Sequence, residues 1–223
     1  MARAALVAAT CLFSFGRLAS AQDALADPGF AASTGLHTVH AVAMQSDGKI
    51  LIGGEFTEVN GIGRFGLARL LPSGALDTTF TAGPTGIGRT IRSIAVLSND
   101  QIVVAGDFNQ FNGVARSRIV RLQANGTLDA SFTSAVQFGY PQKVALDGLG
   151  RLVVAGEIGN GEGGALLRLT TTGAHDGTFP PMPGSAVYDF AIEPSGSIVF
   201  GGAMNVSSIV PSRFRRTSVE RVS

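Results

Sequence analysis

The chain has no tryptophan and a single cysteine, Cys11, so neither a disulfide framework nor a cysteine-based redox pair is available within it. Charge is scarce as well. Charged residues make up 15%, and 17 Lys and Arg against 16 Asp and Glu give a formal net charge of +1. Such a balance carries no electrostatic footprint for nucleic acid or for an acidic membrane surface. Two further classes fall away. A hydrophobic content of 45% excludes a disordered chain, and 30 glycines in 223 residues fall short of the one in three that collagen needs. No His-Glu-x-x-His and no Gly-x-Ser-x-Gly occurs, so the machinery of a zinc metalloprotease or a serine hydrolase is absent from the sequence.

What is present begins with a targeting pattern. Arg3 supplies a positive start, Ala4 to Phe15 is apolar, and Ala19-Ser20-Ala21 is a small-x-small cleavage site ahead of Gln22. Residues 1–21 read as a secretory signal peptide. The apolar run stops at twelve residues, short of the roughly 20 that a membrane span needs, so no span is expected after cleavage. Cleavage removes Cys11, Arg3 and Arg17 and leaves a thiol-free chain with 15 basic and 16 acidic residues, secreted or periplasmic.

The remainder, 22–223, is repetitive. Leu70-Leu71-Pro72-Ser73-Gly74-Ala75-Leu76-Asp77-Thr78-Thr79-Phe80 recurs as Leu122-Gln123-Ala124-Asn125-Gly126-Thr127-Leu128-Asp129-Ala130-Ser131-Phe132. A third copy runs from Leu169 through Gly173 and Asp176 to Phe179, and Asp27-Pro28-Gly29-Phe30 stands alone near the start. From Phe to Phe the steps are 50, 52 and 47 residues. A second mark keeps the same period: Ile50 to Phe56, Ile102 to Phe108, Leu152 to Ile158 and Ile198 to Gly202, each an apolar run ending in Gly-Gly or Ala-Gly. Four units follow, near 27–76, 77–128, 129–175 and 176–223, the last degenerate beyond Gly202.

Each unit reads as four strands in two hairpins. Val39 to Gln45 and Lys49 to Phe56 flank an Asp-Gly turn; Leu67 to Leu71 and Ala75 to Phe80 flank Pro72-Ser73-Gly74. A loop carrying Asn60-Gly61, or Asn112-Gly113, separates the hairpins. Central runs such as Ile102-Val103-Val104-Ala105 are apolar on both faces, which suits a strand covered on each side by a neighbouring sheet. The expected architecture is all-β: a β-propeller-like array of about four four-stranded blades of Kelch-like repeat length, with an open solenoid as the competing arrangement. The Asp27-to-Phe30 strand is available to close the last blade. A ring that does not close on itself would leave an edge for oligomerisation.

The stretch Ala43-Met44-Gln45-Ser46-Asp47-Gly48-Lys49-Ile50-Leu51-Ile52-Gly53-Gly54-Glu55-Phe56-Thr57-Glu58-Val59-Asn60-Gly61 resembles the delta-60 repeat family of bacterial exported proteins. The resemblance covers all four units, most closely the first two. It implies a secreted, propeller-like array, in a family often joined to adhesive or sorting modules and without a common enzymatic activity or ligand.

Several residues bear on chemistry. Gly61-Ile62-Gly63-Arg64-Phe65-Gly66 and Gly159-Asn160-Gly161-Glu162-Gly163-Gly164 match a dinucleotide-type glycine pattern, but each runs into a strand and opens no helix to hold a pyrophosphate. Asp77, Asp129 and Asp176 each lie eight residues after an arginine, Arg69, Arg121 and Arg168, a spacing that sets the two side by side across a hairpin as a structural pair. Glu55, Asp107 and Glu157 follow the glycine pairs. As equivalent positions of successive blades they are candidate metal ligands, for calcium if for any cofactor, against the alternative of solvated strand ends. His37 and His40 have no Cys, Asp or Glu at a ligand spacing beside them. Phe65, Phe111 and Tyr140 are the loop aromatics available for contact, and Arg213 to Arg216 read as a solvated tail. With no catalytic residue singled out, the expected function is a non-catalytic binding or scaffold surface at the envelope or outside the cell. Its partner would be a protein or glycan rather than nucleic acid. The alternative is an exported propeller-type lyase or hydrolase with a metal at the channel mouth.

Overall fold

The computed structural model describes residues 32–34, 37–158, 164–179, 182–183, 186–202 and 214–216. The proposed signal segment, the Asp27-to-Phe30 strand, the loop 159–163 and most of the tail lie outside these. Every described element is a strand. The first unit holds β1 (Val39–Met44), β2 (Ile50–Gly54), β3 (Glu58–Val59), β4 (Ile62–Gly63) and β5 (Leu67–Leu70), and the second repeats it with β6 (Thr90–Val96), β7 (Ile102–Asp107), β8 (Gln110–Phe111), β9 (Val114–Ala115) and β10 (Ile119–Leu122). The third contributes β11 (Tyr140–Leu146), β12 (Leu152–Ile158), β13 (Gly164–Leu169) and β14 (Met182–Pro183), the fourth β15 (Asp189–Ile192), β16 (Ile198–Gly201) and β17 (Phe214–Arg216).

In each unit the most apolar strand is central: the sheets are ordered β1-β2-β5, β6-β7-β10, β11-β12-β13-β14 and β15-β16-β17. All ladders are antiparallel except β16 with β17, which is parallel. Turn chemistry sets the hairpins. Gly48 takes φ 81°, its N–H donates to the Gln45 carbonyl at 3.0 Å, and the Gln45 N–H bonds Lys49 O at 2.9 Å. That is a three-residue loop closed by a left-handed residue, the conformation glycine adopts at least cost.

Two features depart from the sequence expectation. The loop between the hairpins is itself a small hairpin, β3 with β4 and β8 with β9. Asn60 (φ 52°) and Gly61 (φ 75°), like Asn112 (φ 49°) and Gly113 (φ 76°), form two-residue turns with both central residues left-handed, the geometry that matches strand twist. The expected fourth strand from Ala75 to Phe80 is one bridge long, Leu70 opposite Leu76, and the same holds for Leu122 with Leu128. The reason is Asp77, whose Oδ1 accepts the Thr79 N–H at 3.0 Å and curls the backbone away from the ladder.

Cores form between units. In β7, Ile102 and Val104 pack with Leu51 and Leu67 of the first unit, whereas Val103 and Ala105 pack with Val144 and Val154 of the third. Val153 and Ala155 then meet Ile198 and Phe200 of the fourth. A strand sandwiched this way needs apolar residues on both faces, which accounts for the unalternating runs.

Candidate functional site

The repeated Asp and Arg do meet across the hairpin. Arg69 Nε donates to Asp77 Oδ2 at 2.9 Å, Arg121 to Asp129 at 2.7 Å and Arg168 to Asp176 at 2.7 Å. Each guanidinium also lies over the phenylalanine that closes the motif: Arg69 on Phe80 (4.5 Å), Arg121 on Phe132 (5.0 Å), Arg168 on Phe179 (4.7 Å). The second carboxylate oxygen takes the amide and hydroxyl of Thr79, Ser131 or Thr178. Burial of Asp77 and Asp129 works to raise their pKa, but these hydrogen bonds and the arginines outweigh it and hold both carboxyls below the ordinary value. At Asp176 the Thr178 hydroxyl and amide lead, and the carboxyl is lowered to about 2. The clamps also join units, since Arg69 Nη1 donates to Ala124 O of the next unit at 2.7 Å and Arg121 Nη1 bonds the Thr171 carbonyl in the same way. Both oxygens of each acid are engaged in these contacts, which tie one strand of the unit to the turn that follows it.

A different set of side chains has the position of a recognition surface. Register shifts between Val39 and Ala41, Ile91 and Ser93, and Pro141 and Lys143 leave His40, Arg92 and Gln142 as the extra residue of a β-bulge in the first strand of their units. Tyr188 takes the matching place just ahead of β15, its N–H bonded to Gly201 O at 2.9 Å. Bulges of this kind re-aim a side chain out of the ladder. They also explain the repeated glycine. A Cβ on Gly54 would stand 2.0 Å from Thr38 O, on Gly106 2.1 Å from Thr90 O, on Gly156 2.2 Å from Tyr140 O and on Gly202 2.1 Å from Ala186 O. First strands of successive units are packed side by side, β1 on β6 and β6 on β11, so the bulged residues share one rim. Sequence reasoning treated the glycine as a repeat mark and did not find this rim; the signal available was the close glycine paired with an unmatched polar residue fourteen positions earlier in each unit.

The candidate metal ligands lie on the same side. Glu55 Oε1 is 3.3 Å from His40 Nε2, a contact that the fifteen-residue separation concealed. Asp107 is paired with Arg118, and Glu157 is opposite Tyr140 in the ladder. Among the described residues no group of three or more His, Cys, Asp or Glu is gathered as a metal site. Arg92, by contrast, has no hydrogen-bond or ion-pair partner among the described residues, and its Nε is buried.

Of the aromatics, Phe65 and Tyr140 are exposed, and each carries a guanidinium, Arg89 at 4.8 Å and Arg118 at 5.6 Å. Arg118 holds φ 66° at the position where the first unit has Gly66, also at 66°. Phe111 is not a surface residue: it is fully buried, packed edge-on against Phe108 at 5.3 Å, because β8 folds back over the core. The Gly61-to-Gly66 pattern lies in β4 and its flanks with no helix following; its second occurrence falls mostly outside the described residues.

The family described as a β-propeller domain of unknown function, DUF5122, matches residues 45–80, 97–132 and 150–179. Each match takes in the central strand and the Asp-Arg clamp of one unit, and the first two take in the small hairpin as well. The chain is built of β-propeller repeats. The bulged rim lies on the first strands β1, β6 and β11. Among solved structures the propeller is similar to a protein of unknown function from Bacteroides caccae (12% identity, TM-score 0.47, covering 73% of this chain and 52% of that one) and to a streptogramin B lyase (18%, 0.45, 73% and 47%). It is likewise similar to a glucose dehydrogenase (19%, 0.46, 75% and 59%). The chain spans about half the length of the first two. No curated protein matches it.

Proposed function

We propose that the chain is a non-catalytic, exported propeller module whose rim of His40, Arg92, Gln142 and Tyr188 binds an acidic glycan at the envelope or outside the cell. The observation that carries this reading is Arg92. The clamp arginines Arg69, Arg121 and Arg168 are spent on aspartates, while Arg92, thrown out of its ladder by a bulge, has no partner among the described residues. The rim positions differ from unit to unit in identity but not in backbone geometry, unlike the clamps, which repeat. A guanidinium on a rim that also carries hydrogen-bonding side chains, with Tyr140 and Tyr188 exposed on the units that follow, suits a carboxylated sugar. Calorimetric titration of the purified chain with trigalacturonic acid tests it. Binding is expected, weakened about tenfold or more in Arg92→Ala, as loss of a charge-assisted hydrogen bond implies. Absence of heat, or equal affinity in the variant at unchanged melting temperature, would discard the reading. Export is tested separately: mass spectrometry of the chain from an exporting host is expected to show Gln22 as the first residue.

A further inference from the structure

Each unit presents two unlike faces, and the internal packing shows what each face takes. The forward face carries the alternate residues Leu51, Val103 and Val153 of the central strands, all fully buried beneath the unit that follows. The backward face carries the first-strand residues Ile94 and Val96 in the second unit and Val144 and Leu146 in the third, which pack against the unit before. Forward meets backward at all three internal junctions.

At the two ends of the array these same faces are exposed in part among the described residues: in the first unit Ile50 and Ile52 are only 6% exposed, and the first-strand positions beside them are what is uncovered. In the first unit the backward positions are Val42 and Met44, opposite Ile52 and Ile50 in the ladder, and they are 37% and 66% exposed. In the fourth unit the forward positions are Ala191 and Val199, paired across β15 and β16 just as Ala95 pairs with Val103 and Ala145 with Val153. Ala191 is exposed and Val199 half-buried, where Val103 and Val153 are sealed. Arg215 stands opposite Val199 in register, as Arg69 does opposite Leu51, Arg121 opposite Val103 and Arg168 opposite Val153. The first unit holds the matching half of that junction. Its Leu71–Ala75 turn, with Gly74 at φ 83°, corresponds to the turns whose Ala124 and Thr171 carbonyls receive Arg69 and Arg121. Pro72 is at the place of Ala124 and is exposed. Strands of the described units pack in chain order, and the first and fourth units share no such packing.

We propose that a second copy of this chain covers both ends. The backward face of one copy's first unit docks on the forward face of the other's fourth unit, with the Pro72 turn set at the Arg215 register. A forward face is complementary to a backward face and not to itself, so the contact is head to tail; used twice, it closes two copies into one ring. A near-zero net charge opposes neither approach. Light scattering coupled to size exclusion of the purified chain at tens of micromolar is expected to give twice the chain mass. Met44→Glu and Ala191→Glu alter one end each at exposed positions. Each alone is expected to give monomers with unchanged circular dichroism, and their equimolar mixture is expected to recover dimer, because one intact head and one intact tail remain. A monomeric wild type would overturn the proposal. So would dimers of Ala191→Glu, or a mixture that stays monomeric, since either would mean that the faces do not meet head to tail.

Discussion

The clamp concentrates the energetics of a unit on one carboxylate. Asp77→Ala leaves the Arg69 guanidinium, 9% exposed in its side chain, with a buried charge and no counter-ion, and is expected to cost about 3–5 kcal/mol in urea unfolding. Thr79→Val removes only the hydroxyl from Asp77 Oδ1 and is expected to cost about 1–2 kcal/mol. The same carboxylates set the response to acid. Folding lowers the pKa of Asp77, Asp129, Asp147 and Asp176, so the folded state binds fewer protons than the unfolded one. Their stabilisation is complete above the ordinary value of 3.8 and is lost as pH falls toward the folded values, about 2 for Asp176. Denaturation midpoints measured from pH 6 to pH 2 should therefore hold steady at first and drop below about pH 4, by less in Asp176→Asn. The pairing itself was legible in the eight-residue spacing. Its second role, reaching the carbonyl of the next unit, was not, because Arg69 and Ala124 are 55 residues apart and only blade stacking brings them together.

At the scale of the element, the hairpins show how far local chemistry reaches. Among the described residues, six of the seven three-residue turns end on a left-handed glycine, at Gly48, Gly74, Gly126, Gly150, Gly173 and Gly196; the seventh ends on Asp100 at φ 61°. Asp100 uses the side chain that glycine lacks, accepting the Ser46 N–H of the preceding unit at 2.8 Å and its hydroxyl as well. Asp100→Gly exchanges that contact for backbone ease and is expected to fall within about 0.5 kcal/mol of wild type, whereas Asp100→Ala, which loses the contact and keeps the strained backbone, is expected to cost about 1–2 kcal/mol by thermal melting. A parallel contrast separates two glycines of the first unit. Gly61→Ala meets nothing within 4 Å and pays only for φ 75°, about 1 kcal/mol. Gly54→Ala drives a Cβ to 2.0 Å from Thr38 O and should cost about 3 kcal/mol or prevent folding. Turn residues and strand runs identified these elements in advance. The missing fourth strand and the bulge escaped, because the first depends on a side chain bonding its own backbone and the second on which residue of a pair of strands slips.

For the whole molecule, the repeat made the architecture readable and left the use of its surface open. If Glu55, Asp107 and Glu157 are solvated or paired strand ends and not ligands, prolonged dialysis against a chelator should leave the melting temperature unchanged within about 1 °C, while loss of a structural calcium would lower it by several degrees. The sequence alone determined that this is an all-β chain of roughly fifty-residue units, because turn glycines, two-faced apolar strands and the Arg-to-Asp spacing are local patterns that each unit states again. Tertiary structure alone decided that His40 meets Glu55, that Phe111 is core, that Arg92 has no partner among the described residues and that Met44 and Ala191 are exposed on the end units. Those facts depend on the stacking of one unit on the next, where register shifts of a single residue and contacts across 50 positions decide which side chain is buried, and no pattern within a unit encodes them.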